Sequence, residues 1–291
     1  MPELPEVETI VRALRPALVG RTILFADLRW ARTLATPSPA AFKKRVRGQQ
    51  IESISRRAKF LDLRLSTLRE PQGKPFDLLI HLRMSGDLQV REGSYAPQKH
   101  DRLILFLTDH ASLVTHHASR ITPDATLVFN DARKFGRVWL TADPDEVLGD
   151  LGPEPLDPAF TPQAFYERLH ERRRQLKPLL LDQSFIAGLG NIYTDEALHM
   201  ARLHPLARAD AVTPEQAEAL WRAVRAVLEE GIRSNGASID WVYRGGEFQD
   251  HFRVYGRDGE PCPVCGTEIA RLTVGQRGTH FCPTCQPFEG D

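Results

Sequence analysis

The stretch DPDEVLGDLGPEPLDPAFTP, residues 143–162, divides this chain into two parts of different periodicity. It holds Pro144, Pro153, Pro155, Pro158 and Pro162. Each proline lacks a backbone donor and fixes its own φ, so neither a long helix nor a central strand runs through such a segment. Upstream, short apolar runs alternate with turn residues at Thr22–Arg29, Gln50–Ser55, Ala58–Leu65, Phe76–Leu82, Asp87–Val90, Arg102–Thr108, Thr126–Phe129 and Gly136–Leu140. That pattern predicts an antiparallel sandwich or barrel. Downstream the period becomes helical. Thr161-Pro162 caps a helix ending in Arg172, Arg173 and Arg174, and Lys177-Pro178 opens a short one. Gly188-Leu189-Gly190-Asn191 leads into a third, through about Met200, and its glycines would let backbone N–H groups approach a phosphate. Thr213-Pro214-Glu215-Gln216 is a capping box for a long amphipathic helix to about Ser234. The fold class is therefore α+β in two domains: residues 1–142, a linker at 143–160, a helical region at 161–251 and a cysteine-bearing end at 252–291.

The two ends of the chain carry the chemistry. It opens Met1-Pro2-Glu3-Leu4-Pro5-Glu6-Val7-Glu8. Pro5 and the acidic residues suit a first helical turn, Val7, Ile10, Val11, Leu14 and Leu18 follow at helical spacing, and Gly20 is a stop. Such a helix, docked on a core, would hold Pro2 and Glu3 in a fixed place. Once Met1 is removed, Pro2 is a secondary amine that can attack an electrophilic carbon and become an iminium ion. An α-amino group has a pKa of roughly 7.7–8.0, so part of it is unprotonated near neutrality. Glu3 supplies an adjacent carboxyl group for proton transfer. At the other end, Cys262-Pro263-Val264-Cys265 and Cys282-Pro283-Thr284-Cys285 are separated by sixteen residues. Two such knuckles make a four-cysteine structural zinc site with no vacancy for catalysis, which argues against a zinc hydrolase. Arg271 and Arg277 lie between the knuckles, where a zinc-held hairpin could present a cation.

Composition bounds the rest. The 291 residues are 42% hydrophobic and 26% charged, and 38 basic residues balance 38 acidic ones. A chain of zero net charge grips nucleic acid only through local basic patches. No apolar run reaches the length of a membrane span and no signal-peptide pattern opens the chain, which predicts a cytoplasmic protein without membrane contact. Lys59 shares strand parity with Leu61, Leu63 and Leu65, pointing it to the buried side, where an ammonium requires a carboxylate, phosphate or water. His81-Leu82-Arg83-Met84-Ser85-Gly86 and Asn130-Asp131-Ala132-Arg133-Lys134-Phe135-Gly136 read as turns. His110–Thr126 reads as an inserted hairpin loop, and its His116-His117 pair is assigned no metal. Asn235–His251, with Gly236, Gly245 and Gly246, reads as a mobile loop.

Taken together, the MPELPEVE opening, Lys59, the Met84-Ser85-Gly86 turn, Arg133-Lys134-Phe135-Gly136, Gly190-Asn191-Ile192-Tyr193 and the cysteine knuckles resemble the bacterial formamidopyrimidine-DNA glycosylases. The resemblance runs in order from the first residue to Cys285. It implies an N-terminal β-sandwich with an N-terminal helix, a helical domain with a helix–two-turns–helix motif and a lesion-recognition loop, and a zinc-finger hairpin. It also implies repair of oxidised purines, namely 8-oxoguanine and formamidopyrimidines, in damaged double-stranded DNA by a monomer holding one zinc and no organic cofactor. Pro2 would be the nucleophile at C1′ and Glu3 the acid/base. Lys59 would assist β-elimination and Arg277 phosphate binding and δ-elimination. His100, Arg133, Arg172 and Asn191 would contact DNA, and Met84, Arg133 and Phe135 would fill the gap left by the flipped base. Departures are Arg83, where the family more often has glycine, Ala132-Arg133-Lys134 in place of a usual Pro-Arg-Arg, and the longer 110–126 region. The same nucleophile and scaffold serve the endonuclease VIII-like glycosylases for oxidised pyrimidines, which usually have glycine where Leu4 stands. A non-catalytic zinc DNA-binding relative would have no need of Pro2, Glu3 and Lys59.

Overall fold

The computed structural model describes residues 1–67, 75–109, 122–238 and 245–288. The expected 110–126 insertion, His116 and His117 included, falls outside those residues up to residue 121. Two compact units are present. One contains Met1–Pro2 and Val7–Gly149, the other Glu3–Glu6 and most of the chain from Asp150 onward.

Among the described residues, the first unit has helices α1 (Leu4–Leu18, from Val7) and α2 (Pro39–Val46) and nine strands. These are β1 (Thr22–Leu28), β2 (Leu34–Thr36), β3 (Gln49–Arg57), β4 (Phe60–Thr67), β5 (Phe76–His81), β6 (Gly86–Glu92), β7 (Asp101–Thr108), β8 (Ala125–Asp131) and β9 (Arg137–Thr141). Their order is β2-β9-β5-β4-β3-β1-β7-β8-β6. β1 meets β3 through one register pair, Thr22↔Gln50, so the ladder divides there into two halves. Leu61, Leu63, Leu65, Leu78, Ile80 and Val138 of one half share a core with Ile23, Leu103, Leu105, Leu107, Leu127 and Phe129 of the other, as the layers of a sandwich do. Val7, Ile10, Val11, Leu14 and Leu18 of α1 join the same core, while Leu4 belongs to the core of the second unit. A short helix α3 (Asp145–Leu148) closes this unit.

Lys59 reaches its buried position differently from the parity expectation. Arg57 pairs with Phe60, so Ala58 and Lys59 form the turn between β3 and β4 instead of its first strand residues. Ala58 takes a left-handed φ of 52°, which re-aims the chain, and Lys59 is only 4% exposed. The strand beyond keeps the expected alternation, with Leu61, Leu63 and Leu65 inward.

On the opposite face of β4, Asp62 stands close to Asp77, and its Oδ1 is buried without a hydrogen-bond partner among the described residues. Burial, reinforced by the Asp77 charge, raises its carboxyl to about 6 against an ordinary 3.8. A carboxyl whose pKa rises on folding binds its proton more tightly in the native state. Its penalty is absent below pH 3.8, develops as pH rises toward 6 and is complete above 6. Asp62→Asn should therefore stabilise the protein at pH 7.5 by on the order of 1 kcal/mol after solvent screening, and by less at pH 5. Urea unfolding at the two pH values measures the difference; equal effects would contradict the assignment.

The second unit is built from α4 (Pro162–His170), α5 (Leu176–Leu180), α6 (Asn191–Met200), α7 (Pro214–Arg233), and the hairpin of β10 (Ala270–Val274) and β11 (Arg277–Phe281). Thr161 caps α4 by accepting from Ala164 N, and Thr213 with Gln216 forms the expected capping box of α7. The buried face of α7, including Leu220, Val224, Val227 and Leu228, packs with Leu176, Leu179, Leu180, Tyr193 and Leu198. α4 stops at His170, so Arg172, Arg173 and Arg174 lie on the exposed connection after it instead of in its last turn. The loop read at Asn235–His251 is closed at its base. Glu247 N donates to Ser234 O, Phe248 N to Gly236 O, and Gly246 N to Ser238 Oγ. Residues 239–244, between those pairs, fall outside the described set. Among the described residues no helix is long and apolar enough to cross a membrane.

Candidate active site

The second unit fixes Glu3 from several directions. Its carboxylate accepts from Gly190 N (2.6 Å) and Ile192 N (3.0 Å) at the start of α6. The glycine pattern would let N–H groups at this helix start approach a phosphate; two of them receive the Glu3 carboxylate, which satisfies donors that a helix start leaves open. A Cβ on Gly190 would overlap the Glu3 side chain, and one on Gly188 (φ +95°) would come within 2.6 Å of Leu4 Cδ1. The two glycines thus admit the chain terminus. Leu4 N donates to Gly188 O, and Glu3 N donates to Glu6 Oε2 (2.7 Å). Glu6 in turn accepts from the Tyr193 hydroxyl (2.7 Å) and Ala237 N (2.8 Å). Tyr193 stacks on Phe248, with ring centroids 4.9 Å apart. Buried and fully hydrogen-bonded, this acidic cluster holds the residues after Pro2 rigid. Pro2 itself is buried, and Met1 before it is 41% exposed.

Asn191 and Arg277 are brought together by a second network in the same unit. Lys177 is wholly buried, and its Nζ donates to Asp195 Oδ1 (2.6 Å) and Gly278 O (3.0 Å). Desolvation lowers the Lys177 pKa, opposed by the Asp195 charge and its hydrogen bond. Asn191 Nδ2 donates to the same Gly278 carbonyl (2.9 Å), and Asp195 Oδ2 accepts from His280 N. Val274 pairs with Arg277 across a two-residue turn in which Gly275 (φ 54°) and Gln276 (φ 64°) are both left-handed, the geometry of a type I′ hairpin. Arg277 therefore leaves the hairpin exposed, with Gly278 clamped directly behind it.

The base of that hairpin is the cysteine cluster. The ligand atoms of Cys262, Cys265, Cys282 and Cys285 lie within 4.8 Å of one another. Val264 N donates to Cys262 Sγ and Cys285 N to Cys282 Sγ, both at 3.4 Å. Four sulfur donors converging on one point, with backbone N–H groups directed at two of them, fit a tetrahedral zinc ion. The cysteines form a structural zinc site, and the zinc would keep the β10–β11 hairpin folded.

In the first unit, Met84, Arg133 and Phe135 are assembled around Asp131. Its carboxylate accepts from Ser85 Oγ, Arg133 N (3.2 Å) and Gly136 N (2.7 Å), which ties the two turns together. Arg133 N also donates to Ser85 Oγ, and Arg133 Nη1 approaches Met84 Sδ at 3.8 Å. Met84 and Phe135 stand out from this platform, 41% and 55% exposed. Lys134, in the left-handed region at φ 63°, places its ammonium 4.0 Å above the Trp30 ring. His100 is linked to the same platform, since Arg102 Nη2 lies 3.3 Å from His100 Nδ1 and Arg102 Nε donates to Asp131 O. Arg83 has a φ of 54°, which explains why glycine suits that position, and its N–H donates to His81 Nδ1 (3.0 Å). Burial and the charges of Arg83 and Lys59 push His81 down to about 3, so it is neutral. The roles of Asp131, Ser85, Glu6, Lys177 and Asp195 as anchors do not follow from the sequence, because each makes hydrogen bonds to partners distant in the chain.

Comparison with known proteins accounts for both units. The formamidopyrimidine-DNA glycosylase N-terminal domain matches residues 1–138, the formamidopyrimidine-DNA glycosylase H2TH domain residues 151–242, and the zinc finger found in FPG and IleRS residues 259–287. The formamidopyrimidine-DNA glycosylase of Chloroflexus aurantiacus is 47% identical over 293 residues, covering 98% of each chain. That of Pelotomaculum thermopropionicum is 39% identical over 98% of this chain and 99% of its own. A solved Lactococcus lactis FPG mutant in complex with a Fapy-dG containing DNA superposes with a TM-score of 0.86 at 34% identity, covering 99% of this chain and 100% of that one. A Lactococcus lactis Fpg complex with an abasic site containing DNA gives 0.85 at 33%, covering 98% and 100%. An anchored Pro-Glu terminus, a sulfur-held hairpin and a Met/Arg/Phe platform occur here on a chain that matches these proteins from end to end, and it belongs to the formamidopyrimidine-DNA glycosylase family.

Proposed function

We propose that this chain excises oxidised purines from damaged double-stranded DNA through the amine of Pro2, then cuts the strand by β,δ-elimination. The observation that carries this reading is the buried cradle of Gly190 N, Ile192 N and Glu6 around Glu3, which fixes the residue next to the nucleophile. Attack by the Pro2 nitrogen on C1′ breaks the glycosidic bond, and opening of the sugar leaves an iminium ion. Glu3 moves the proton at the sugar oxygen. The iminium acidifies the neighbouring C–H bonds, so the 3′ and then the 5′ phosphate leave. Lys59 assists the first departure and Arg277 the second. Asn191, His100 and Arg172 bind phosphates, and Met84, Arg133 and Phe135 occupy the space of the extruded base. The zinc that Cys262, Cys265, Cys282 and Cys285 hold is structural. We place the enzyme in the cytoplasm, on the nucleoid.

Duplexes carrying one lesion each test the substrate class. Excision of 8-oxoguanine and formamidopyrimidine should exceed that of an oxidised pyrimidine by at least about 10-fold in kcat/KM, about 1.4 kcal/mol of transition-state discrimination. Preference for the pyrimidine lesion would overturn the reading.

A further inference from the structure

Along one face of α6, Asn191, Asp195 and His199 follow at four-residue spacing, and each is hydrogen-bonded to the zinc-finger region. The first two reach Gly278 and His280. The third lies with its Nε2 3.4 Å from Cys262 Sγ. His199 is 3% exposed and Cys262 likewise 3%. Its other ring nitrogen, Nδ1, is buried without a hydrogen-bond partner among the described residues. A proton on Nδ1 alone would leave a buried N–H with no acceptor and turn a bare lone pair toward the sulfur; a proton on Nε2 meets an acceptor. His199 is not a fifth ligand, because the converging donor set contains the four sulfurs and not the imidazole.

We propose that His199 is a positioning residue for the zinc, donating its Nε2–H to the Cys262 thiolate. Four thiolates on one divalent cation carry a net double negative charge in a largely dry setting, and each N–H directed at a sulfur spreads part of it. Cys262 receives one such bond from Val264 N and a second from His199, whereas Cys265 is exposed. The imidazole also ties the metal site to the helix whose first residue is Asn191, so the metal and that candidate phosphate contact share one rigid element. Outer partners of metal ligands are typically worth about 10- to 100-fold in metal affinity.

Full-length zinc-loaded protein, His199→Phe and His199→Gln provide the test. Zinc release to a colorimetric chelator should be about 10- to 100-fold faster in His199→Phe. His199→Gln, whose Nε2 can still donate, should remain near the parent. In cobalt-substituted protein the phenylalanine variant should shift the sulfur-to-metal charge-transfer band to lower energy while keeping a four-sulfur tetrahedral spectrum. A structural role in packing alone would not move that band. Parent-like release and an unmoved band in His199→Phe would overturn the proposal, as would nitrogen ligation in the parent spectrum. If His199→Phe does not fold, cadmium-substituted parent protein decides. Scalar coupling between the metal and the His199 Nε2 proton supports the bond, and its absence refutes it.

Discussion

Pro2→Gly should lower single-turnover excision of 8-oxoguanine by on the order of 10²–10³-fold, and protein that keeps Met1 should show no measurable excision. The two losses have different origins. Glycine still offers a primary amine that can form a Schiff base, but without the ring it loses the preset geometry and the secondary amine's direct route to an iminium ion. Retained Met1 converts the proline nitrogen into a tertiary amide, whose lone pair is delocalised into the carbonyl. The cradle around Glu3 does not involve the Pro2 ring, so Pro2→Gly should fold as the parent does and retain lesion binding. Quench-flow rates with the duplex bound beforehand separate chemistry from affinity. A parent rate in either protein would remove Pro2 from the reaction.

Removal of the zinc should have the second large effect. The finger has a small apolar core, Val254, Cys262, Ile269 and Cys282, of which two members are themselves metal ligands. Such a core does not hold a hairpin alone, so metal binding is folding energy for this segment. Without it the Gly275-Gln276 turn no longer presents Arg277, and Gly278 O is lost to both Asn191 and Lys177. Stripping the metal should weaken binding to a lesion duplex by about 100-fold or more. The steepness of its salt dependence should fall too, because phosphate contacts are lost. Arg277→Ala with metal in place should slow strand cleavage more than base excision. Metal-free protein that binds and cuts normally would contradict this account.

Periodicity made much of the fold legible. Period-2 runs gave the strands of the sandwich, apolar residues at helical spacing gave α1, and the Thr213–Gln216 capping box gave the start of α7. Leu34–Thr36 is not legible in the sequence, because three residues paired in parallel with β9 have no alternation to detect. Apolar alternation extends the strand to Lys59, because it does not reveal that Ala58 adopts a positive φ. At the site, motifs identified the residues proposed to react, but not what holds them. Nothing local marks Glu3 as the acceptor for N–H groups 187 and 189 residues away, or Asp131 as the acceptor for Ser85 Oγ. The cysteine spacing was legible because zinc imposes it, whereas His199 lies 63 residues from Cys262 and belongs to no motif.

The proposed nucleophile is the processed Pro2 nitrogen, which would form the covalent bond to DNA. Borohydride reduction during reaction with an 8-oxoguanine duplex converts the iminium into a stable amine, and proteolysis with mass mapping then locates the attached sugar. One adduct is expected, on the N-terminal peptide beginning Pro2-Glu3-Leu4, and none on protein that retains Met1. An adduct on the peptide containing Lys59, or equal trapping with Met1 in place, would contradict it.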